Sequence, residues 1–231
     1  MLFNSLEFLW FLPLVFFLYW RLKNRLRTQN LFLVSASYLF YGWWDVRFLL
    51  LIAFTSFCSY YSGILIEDNI KNAKKINMVN IVINLFILGV FKYFNFFEEN
   101  LILLFKSFGL SLSPSYLHII LPVGISFYTF QALSYSIDVY HKKIAATRDV
   151  VAFFAYVSFF PQLVAGPIER STNLLNQFYK KRVFSYPVAV DGMRQMLFGF
   201  FKKLVVADNC AQYETIAKTN ENRIKFYLIR F

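Results

Sequence analysis

The stretch LPVGISFYTFQALSYSIDVY, residues 121–140, is long enough to cross a bilayer as a helix, which takes about 20 residues. It nevertheless carries hydroxyl, amide and carboxylate side chains, for which hydrocarbon offers no hydrogen-bond partner. At about 100° per residue, five of these side chains fall within an arc of roughly 120° on one helix face. These five, here called the polar stripe, are Tyr128, Gln131, Ser134, Tyr135 and Asp138. The pattern predicts that this face points into a helix bundle or a cavity.

The composition of the whole chain supports the membrane interpretation. Of its 231 residues, 58% are hydrophobic, 21% are aromatic and 16% are charged. Soluble domains carry about a quarter of charged residues, so this chain is too apolar for that class. Its net charge of +11 comes from short Lys and Arg clusters between apolar runs. Such clusters indicate membrane topology, and we expect a lipid bilayer rather than nucleic acid as the partner.

The order of apolar runs predicts an all-α, polytopic bundle of about five to seven spans, one of them broken or re-entrant. We treat residues 1–231 as a single membrane domain, because no repeat and no flexible linker divides them. The first run has no basic residue before it and a basic cluster after it, which is typical of a retained span rather than a signal peptide. The runs cover about residues 2–20, 31–44, 46–66, 76–97, 117–140 and 150–168.

The distribution of basic residues predicts the orientation of these spans. The first, third and fifth connections hold ten Lys and Arg residues, whereas the second and fourth hold Arg47 and Lys106. By the positive-inside rule, we predict that the N-terminus lies outside, on the side of the membrane away from the cytoplasm. The ten are Arg21, Lys23, Arg25, Arg27, Lys71, Lys74, Lys75, Lys142, Lys143 and Arg148.

The run at residues 150–168 departs from this alternation. A complete crossing would place the basic stretch from Arg170 to Arg182 outside, against the rule. Proline also removes a backbone donor, so the motif FFPQLVAGPIER cannot continue as a regular helix. We therefore predict that this segment dips into a protein-lined recess and returns. The residues expected to shape the recess are Pro161, Gln162, Gly166 and Pro167.

The polar stripe has two interpretations. Its side chains could line a cavity with a functional role, which is the default for polar groups inside a membrane. They could instead join helices, with Gln131 and Ser134 bonding across an interface and Asp138 pairing with a basic residue such as Lys142.

Three motifs in order carry a resemblance to a known family: LPVGISFYTFQALSYSIDVY, FFPQLVAGPIER, and GFFKKLVVADN at residues 199–209. The early YLFYGWWD, residues 38–45, fits the same pattern. The chain resembles the membrane-bound O-acyltransferases, within the branch of alginate O-acetyltransferases and the D-alanyl transfer protein of teichoic acids. The resemblance extends to about residue 215.

The resemblance implies an enzyme that moves an acetyl or similar small acyl group to hydroxyls of an exported polysaccharide. It also implies an acyl donor, a polysaccharide acceptor and possible partner proteins of the cell envelope. In the family an intramembrane histidine serves the reaction, and its motifs lie in a second half that we expect to be absent from this chain. His118 and His141 stand at opposite ends of one run and match no such motif. The sequence thus predicts no catalytic residue within these 231 positions.

Lys202 and Lys203 follow an amphipathic run and have two interpretations. They could reach lipid headgroups at the cytoplasmic interface, or they could hold the phosphate of an acyl donor or an acidic group of a partner. The two cysteines match no metal or disulfide spacing, and we predict neither a metal nor a cofactor. A non-catalytic envelope scaffold and a transporter remain alternatives to the enzyme, since a striped helix and a broken helix also occur in transport pathways.

Overall fold

The computed structural model describes residues 3, 5–108, 121–163, 166 and 169–211. Within these ranges all regular structure is helical, which confirms the predicted all-α class. The helices of the first compact unit are α1 Leu6–Arg21, α2 Leu26–Gly42, α3 Arg47–Asp68, α4 Ala73–Ser107, α5 Ile125–Tyr140, α6 Val150–Val157, α7 Phe160–Leu163 and α8 Ser171–Leu174. Short 3-10 turns cover Ile70–Asn72 and Leu175–Phe178.

The chain divides into two compact units, Met1–Arg182 and Val183–Phe231. In the second unit, α9 spans Tyr186–Phe201 and continues into a π-helical turn, Lys202–Ala207. Pro187 lies in the first turn of α9, where its missing N–H would have no helical partner.

Two of the described helical stretches are long and apolar enough to cross a membrane, Arg47–Asp68 and Ile70–Ser107. The second is longer than predicted, because α4 continues through Glu98 and Glu99 to Ser107 and the expected fourth connection is helical there. Helix α2 begins five residues before the predicted apolar run, at Leu26, and ends at Gly42. It includes Gln29 and Asn30, which are buried despite their polarity.

Helices α3, α4 and α5 pack together through small and amide side chains. Gly63 of α3 lies against the Tyr135 ring so closely that a Cβ there would be 2.6 Å from its Cε1 atom. On α4, three buried asparagines recur at i, i+3 and i+7: Asn77, Asn80 and Asn84. Asn80 Nδ2 donates to Ser136 Oγ of α5 at 2.9 Å. Close approach and amide bonding are the usual means by which membrane helices associate.

The third and fifth basic connections meet at one end of the first unit, and the start of α2, which follows the first basic connection, is bonded to the chain near this end. Arg148 donates to Asp68 at the end of α3 at 2.7 Å, which joins the third and fifth connections. Arg182 Nη1 donates to Asn30 Oδ1 at the start of α2 at 2.8 Å. The Tyr179 and Thr147 hydroxyls are hydrogen-bonded to each other, so the chain enters and leaves the 150–178 segment at this same end.

Candidate functional site

The segment predicted to dip and return consists of two short helices with a break between them. Helix α6 ends at Val157 and α7 begins at Phe160. In a continuous helix the Phe160 N–H would donate to the Tyr156 carbonyl. Instead, Phe160 N donates to Ser37 Oγ of α2 at 3.2 Å, and the Tyr156 carbonyl accepts from Gln131 Nε2 of α5 at 2.7 Å. Two neighbouring helices thus satisfy the backbone groups that the break releases.

The break lies before Pro161, at Ser158 and Phe159, rather than at the proline. Pro161 is the second residue of α7, where a missing N–H is tolerated. A helix continued through this position would lose the bond from residue 161 to the Val157 carbonyl, so the proline favours a break upstream of itself. Gln162 is buried, and Gly166 N donates to its carbonyl at 3.0 Å. Pro167 lies outside the described residues.

Gly124 positions the start of α5 against the end of α7. Its φ of 76° lies in the left-handed region, and a Cβ there would stand 2.4 Å from the Leu163 carbonyl oxygen. The neighbouring Val123 carbonyl accepts from the Tyr41 hydroxyl at 2.8 Å. Gly124 is not among the predicted site residues, although a glycine just before a helix is a recognisable signal.

The centre of the polar stripe bonds to the broken segment. The Ser134 hydroxyl is 3.2 Å from that of Tyr156, which also lies within bonding distance of the Gln131 and Glu169 carbonyls. Tyr156 therefore connects α5 to the chain that returns after α7. Tyr156 was not predicted from the sequence, because it lies in an apolar run that does not indicate a hydrogen-bond partner.

Asp138 lies at the end of the stripe where the basic connections meet. Its carboxylate accepts from the Ser171 hydroxyl at 2.7 Å and lies 3.8 Å from Lys143 Nζ. Asp138 thus pairs with a basic residue, as one interpretation predicted, but this residue is Lys143 rather than Lys142, the example given. Lys142 has a φ of 57°, and Lys143 N donates to the Asp138 carbonyl at 2.9 Å. The positive φ at Lys142 turns the chain back at the end of α5. This turn brings Lys143, rather than Lys142, close to the carboxylate.

The two tyrosines of the stripe are fully buried. Tyr135 accepts from the Thr147 backbone N–H at 2.9 Å, which ties α5 to the entry of the broken segment. The Tyr128 ring packs edge-on against Tyr41 at 6.3 Å. Among the described residues, no side chain or backbone group hydrogen-bonds the Tyr128 hydroxyl.

All five stripe residues lie in the first unit, and four of them bond to residues 147–171. Two of these partners, Thr147 and Ser171, line a cavity of about 490 Å³ at the basic end, together with Lys143 and Tyr179. Burial raises the pKa of Tyr179, so this phenol stays protonated at neutral pH. The arrangement offers hydroxyl donors and a lysine to a polar ligand, with Asp138 held just behind Ser171.

The remaining candidate residues lie away from this cluster. His141 caps α5 and its ring lies 5.2 Å from that of Tyr140, whereas His118 is outside the described residues. Lys202 and Lys203 belong to the π-helical turn of the second unit, where Lys202 Nζ lies 4.4 Å from the Phe198 ring centroid. Within the described ranges, no three His, Cys, Asp or Glu side chains are grouped as metal ligands.

Three curated proteins illustrate what the chain is similar to. It is 41% identical over 216 residues to a probable alginate O-acetylase, AlgI, of Pseudomonas aeruginosa, covering 91% of this chain and 41% of that protein. It is 40% identical to the corresponding protein of Azotobacter vinelandii, covering 91% and 42%. It is 33% identical over 245 residues to a peptidoglycan O-acetyltransferase of Helicobacter pylori, covering 92% and 46%. The chain thus spans less than half the length of these relatives.

No family model and no solved structure matches the chain. The helical fold and the two long apolar helices indicate the class of protein, which is a helical membrane protein. The curated relatives agree with the resemblance to the membrane-bound O-acyltransferase family: the chain is homologous to proteins named alginate O-acetylase and peptidoglycan O-acetyltransferase.

Proposed function

We propose that this chain takes part in O-acyl transfer, moving an acetyl or similar small acyl group to hydroxyls of an exported polysaccharide. The observation that carries the proposal is 33% to 41% identity to named O-acetyltransferases over about nine-tenths of the chain. The names of those relatives give alginate or peptidoglycan as the acceptor class. An acyl donor is required by the chemistry, since the acetyl group must come from an activated carrier.

Within this function, the polar stripe and the broken segment hold the shape of the transfer path rather than perform the chemistry. Gln131 and Ser37 stabilise an interrupted backbone, and Asp138, Ser171 and Tyr135 hold the entry and exit of the segment together. Irregular backbone at membrane depth persists where protein or a water-filled cavity surrounds it. Both backbone groups released at the break bond to protein side chains, so we infer that the interruption is a fixed part of the path.

The first test removes the gene in its native host and measures alkali-released acetate per mass of exported polysaccharide. Ester-bound acetate should fall to background and return on complementation with the unmodified gene. Complementation with Asp138→Ala should give acetylation that is slower by about tenfold or more, because a hydrogen bond to a charged group contributes about 1.5 kcal/mol or more. Asp191→Ala, which removes an exposed carboxylate from α9, is the matched control and should behave as the unmodified gene. Unchanged acetate after deletion would refute the proposed function.

We further propose a multi-pass arrangement in the bacterial cytoplasmic membrane, with the N-terminus outside and about five to seven spans. The convergence of the basic connections at one end supports it, because a single end of the bundle then faces the cytoplasm. The segment from Val150 to Leu163 would enter from that side and return to it.

Single cysteines introduced in a background without Cys58 and Cys210 test this topology. Cysteines at Lys74 and Lys143 should react with a membrane-impermeant maleimide only after the cytoplasmic side is opened, because both belong to basic connections. A cysteine at Trp44, in the connection between α2 and α3, should react in intact spheroplasts. The reverse labelling at any of the three positions would contradict the N-out orientation.

A further inference from the structure

A second cavity, of about 470 Å³, lies in the first unit and takes no part in the polar cluster described above. Helices α1 and α2 form one wall, and the broken segment with the 3-10 turn after α8 forms the other. Its lining is predominantly apolar and aromatic: Leu12, Val15, Phe16, Tyr19, Leu33, Phe159, Phe160, Pro161, Leu174 and Phe178, with Gln177, Lys180 and Arg182. The walls therefore suit a hydrocarbon chain.

Arg182 is held firmly at the polar side of this cavity. Its Nη1 donates to Gln29 Oε1 at 3.2 Å and to Asn30 Oδ1 at 2.8 Å, and its guanidinium lies 5.2 Å from the Phe178 ring centroid. Asn30 is itself fixed, because its amide donates to the Phe178 carbonyl at 2.8 Å. Both of these hydrogen bonds use Nη1, and the Tyr19 ring lies 5.6 Å from the guanidinium on the cavity side, so a phosphate would approach the guanidinium beside Tyr19.

The positive charge on this side is not balanced within the cavity. Lys180 and Arg182 are its two cations, and none of the described residues that line it is Asp or Glu. Burial lowers the pKa of Arg182, the direction expected for a cation removed from water without an adjacent carboxylate. The guanidinium nevertheless stays charged, because its ordinary pKa lies far above neutrality. An anion would complete this site.

We propose that the cavity binds an anionic phospholipid, with an acyl chain between α1 and the broken segment and the phosphate against Arg182 and Lys180. This goes beyond acyl transfer and assigns a lipid site to the cleft beside the break. A free phosphate would satisfy the cations but leave the apolar walls without a partner, whereas a neutral lipid would do the opposite. The cleft lies at the basic end of the bundle, beside Gln29 and Asn30, where the headgroup region of the cytoplasmic leaflet would be.

The test uses the full chain in nanodiscs and native mass spectrometry with phosphatidylglycerol and phosphatidylcholine as competing probes. Two cations near the phosphate should favour phosphatidylglycerol by roughly 30-fold, and Lys180→Gln should reduce that preference about fivefold. Lys75→Gln, which removes an exposed lysine of α4, is the matched control and should keep the full preference. Equal binding of both lipids, or an equal loss in the control, would overturn the proposal. Displacement of the lipid by inorganic phosphate alone would do so too, since it would indicate a free-anion site.

A second measurement needs no substitution and so does not depend on a variant's folding. Phosphatidylglycerol with a diazirine on its acyl chain should cross-link to Val15, Leu33 or Phe159 of the unmodified chain. Cross-links confined to lipid-exposed positions on α4, such as Val82 and Phe86, would show bulk lipid contact and refute a site in the cleft.

Discussion

Replacing Gly124 with alanine should destabilise the first unit by about 2 to 5 kcal/mol, the largest effect we expect from a single methyl group. Two independent costs contribute. Alanine must adopt a φ of 76°, and its Cβ must stand 2.4 Å from the Leu163 carbonyl oxygen. The backbone fixes the position of the Cβ, and the oxygen that it meets is itself a backbone atom, so relief requires movement of α5 away from α7. The apparent unfolding temperature of the purified chain, followed by circular dichroism in detergent, measures this loss.

Gly89→Ala is the matched control for this prediction. Gly89 lies in α4, and a Cβ at that position would meet nothing within 4 Å. Alanine is also the better helix former, so the control should unfold within about 1 kcal/mol of the unmodified chain or be more stable. If the two variants unfold at the same temperature, Gly124 does not hold α5 against α7 in the way the geometry indicates.

Much of the fold was predictable, because lipid permits few kinds of backbone structure. The five helices α1 to α5 fall where the apolar runs predict them, and the interruption within residues 150–168 is present. The helix boundaries were less predictable, because polar residues extend α2 and α4 beyond the predicted apolar runs. Gln29 and Asn30 are buried in α2 by contact with Arg182, a residue about 150 positions away, and no local pattern reveals that pairing.

The polar stripe was predictable as a face but not in its bonding. Helical geometry places Gln131, Ser134 and Asp138 on one side of α5, yet their partners come from distant segments. Ser37, Tyr156 and Ser171 each stand in a sequence context that is ordinary for a membrane helix or loop. The three asparagines of α4 were detectable in principle, since amides at i, i+3 and i+7 on an apolar helix indicate an interhelical contact.

The second large effect concerns the break between α6 and α7. Gln131→Leu should cost about 1 to 3 kcal/mol, because the buried Tyr156 carbonyl would lose its 2.7 Å partner. Ser37→Ala should cost a similar amount by leaving the Phe160 N–H without an acceptor. Ser35→Ala is the control, since Ser35 lies on the exposed side of α2 and bonds within its own helix, so its loss should cost about 0.5 kcal/mol or less. Apparent unfolding temperatures of the three variants rank these costs.

The double variant, Gln131→Leu with Ser37→Ala, distinguishes support of the break from ordinary helix packing. The two groups left without partners are the Tyr156 carbonyl and the Phe160 N–H, which are the natural pair of an α-helix turn. Once both side-chain partners are gone, these groups can bond to each other, so the double variant should be more stable than the sum of the single losses by about 0.5 to 3 kcal/mol. Amide hydrogen exchange at Phe160 should then be slower in the double variant than in Ser37→Ala alone. Additive losses, with no recovered protection at Phe160, would mean that Gln131 and Ser37 stabilise separate contacts and do not hold the break open together.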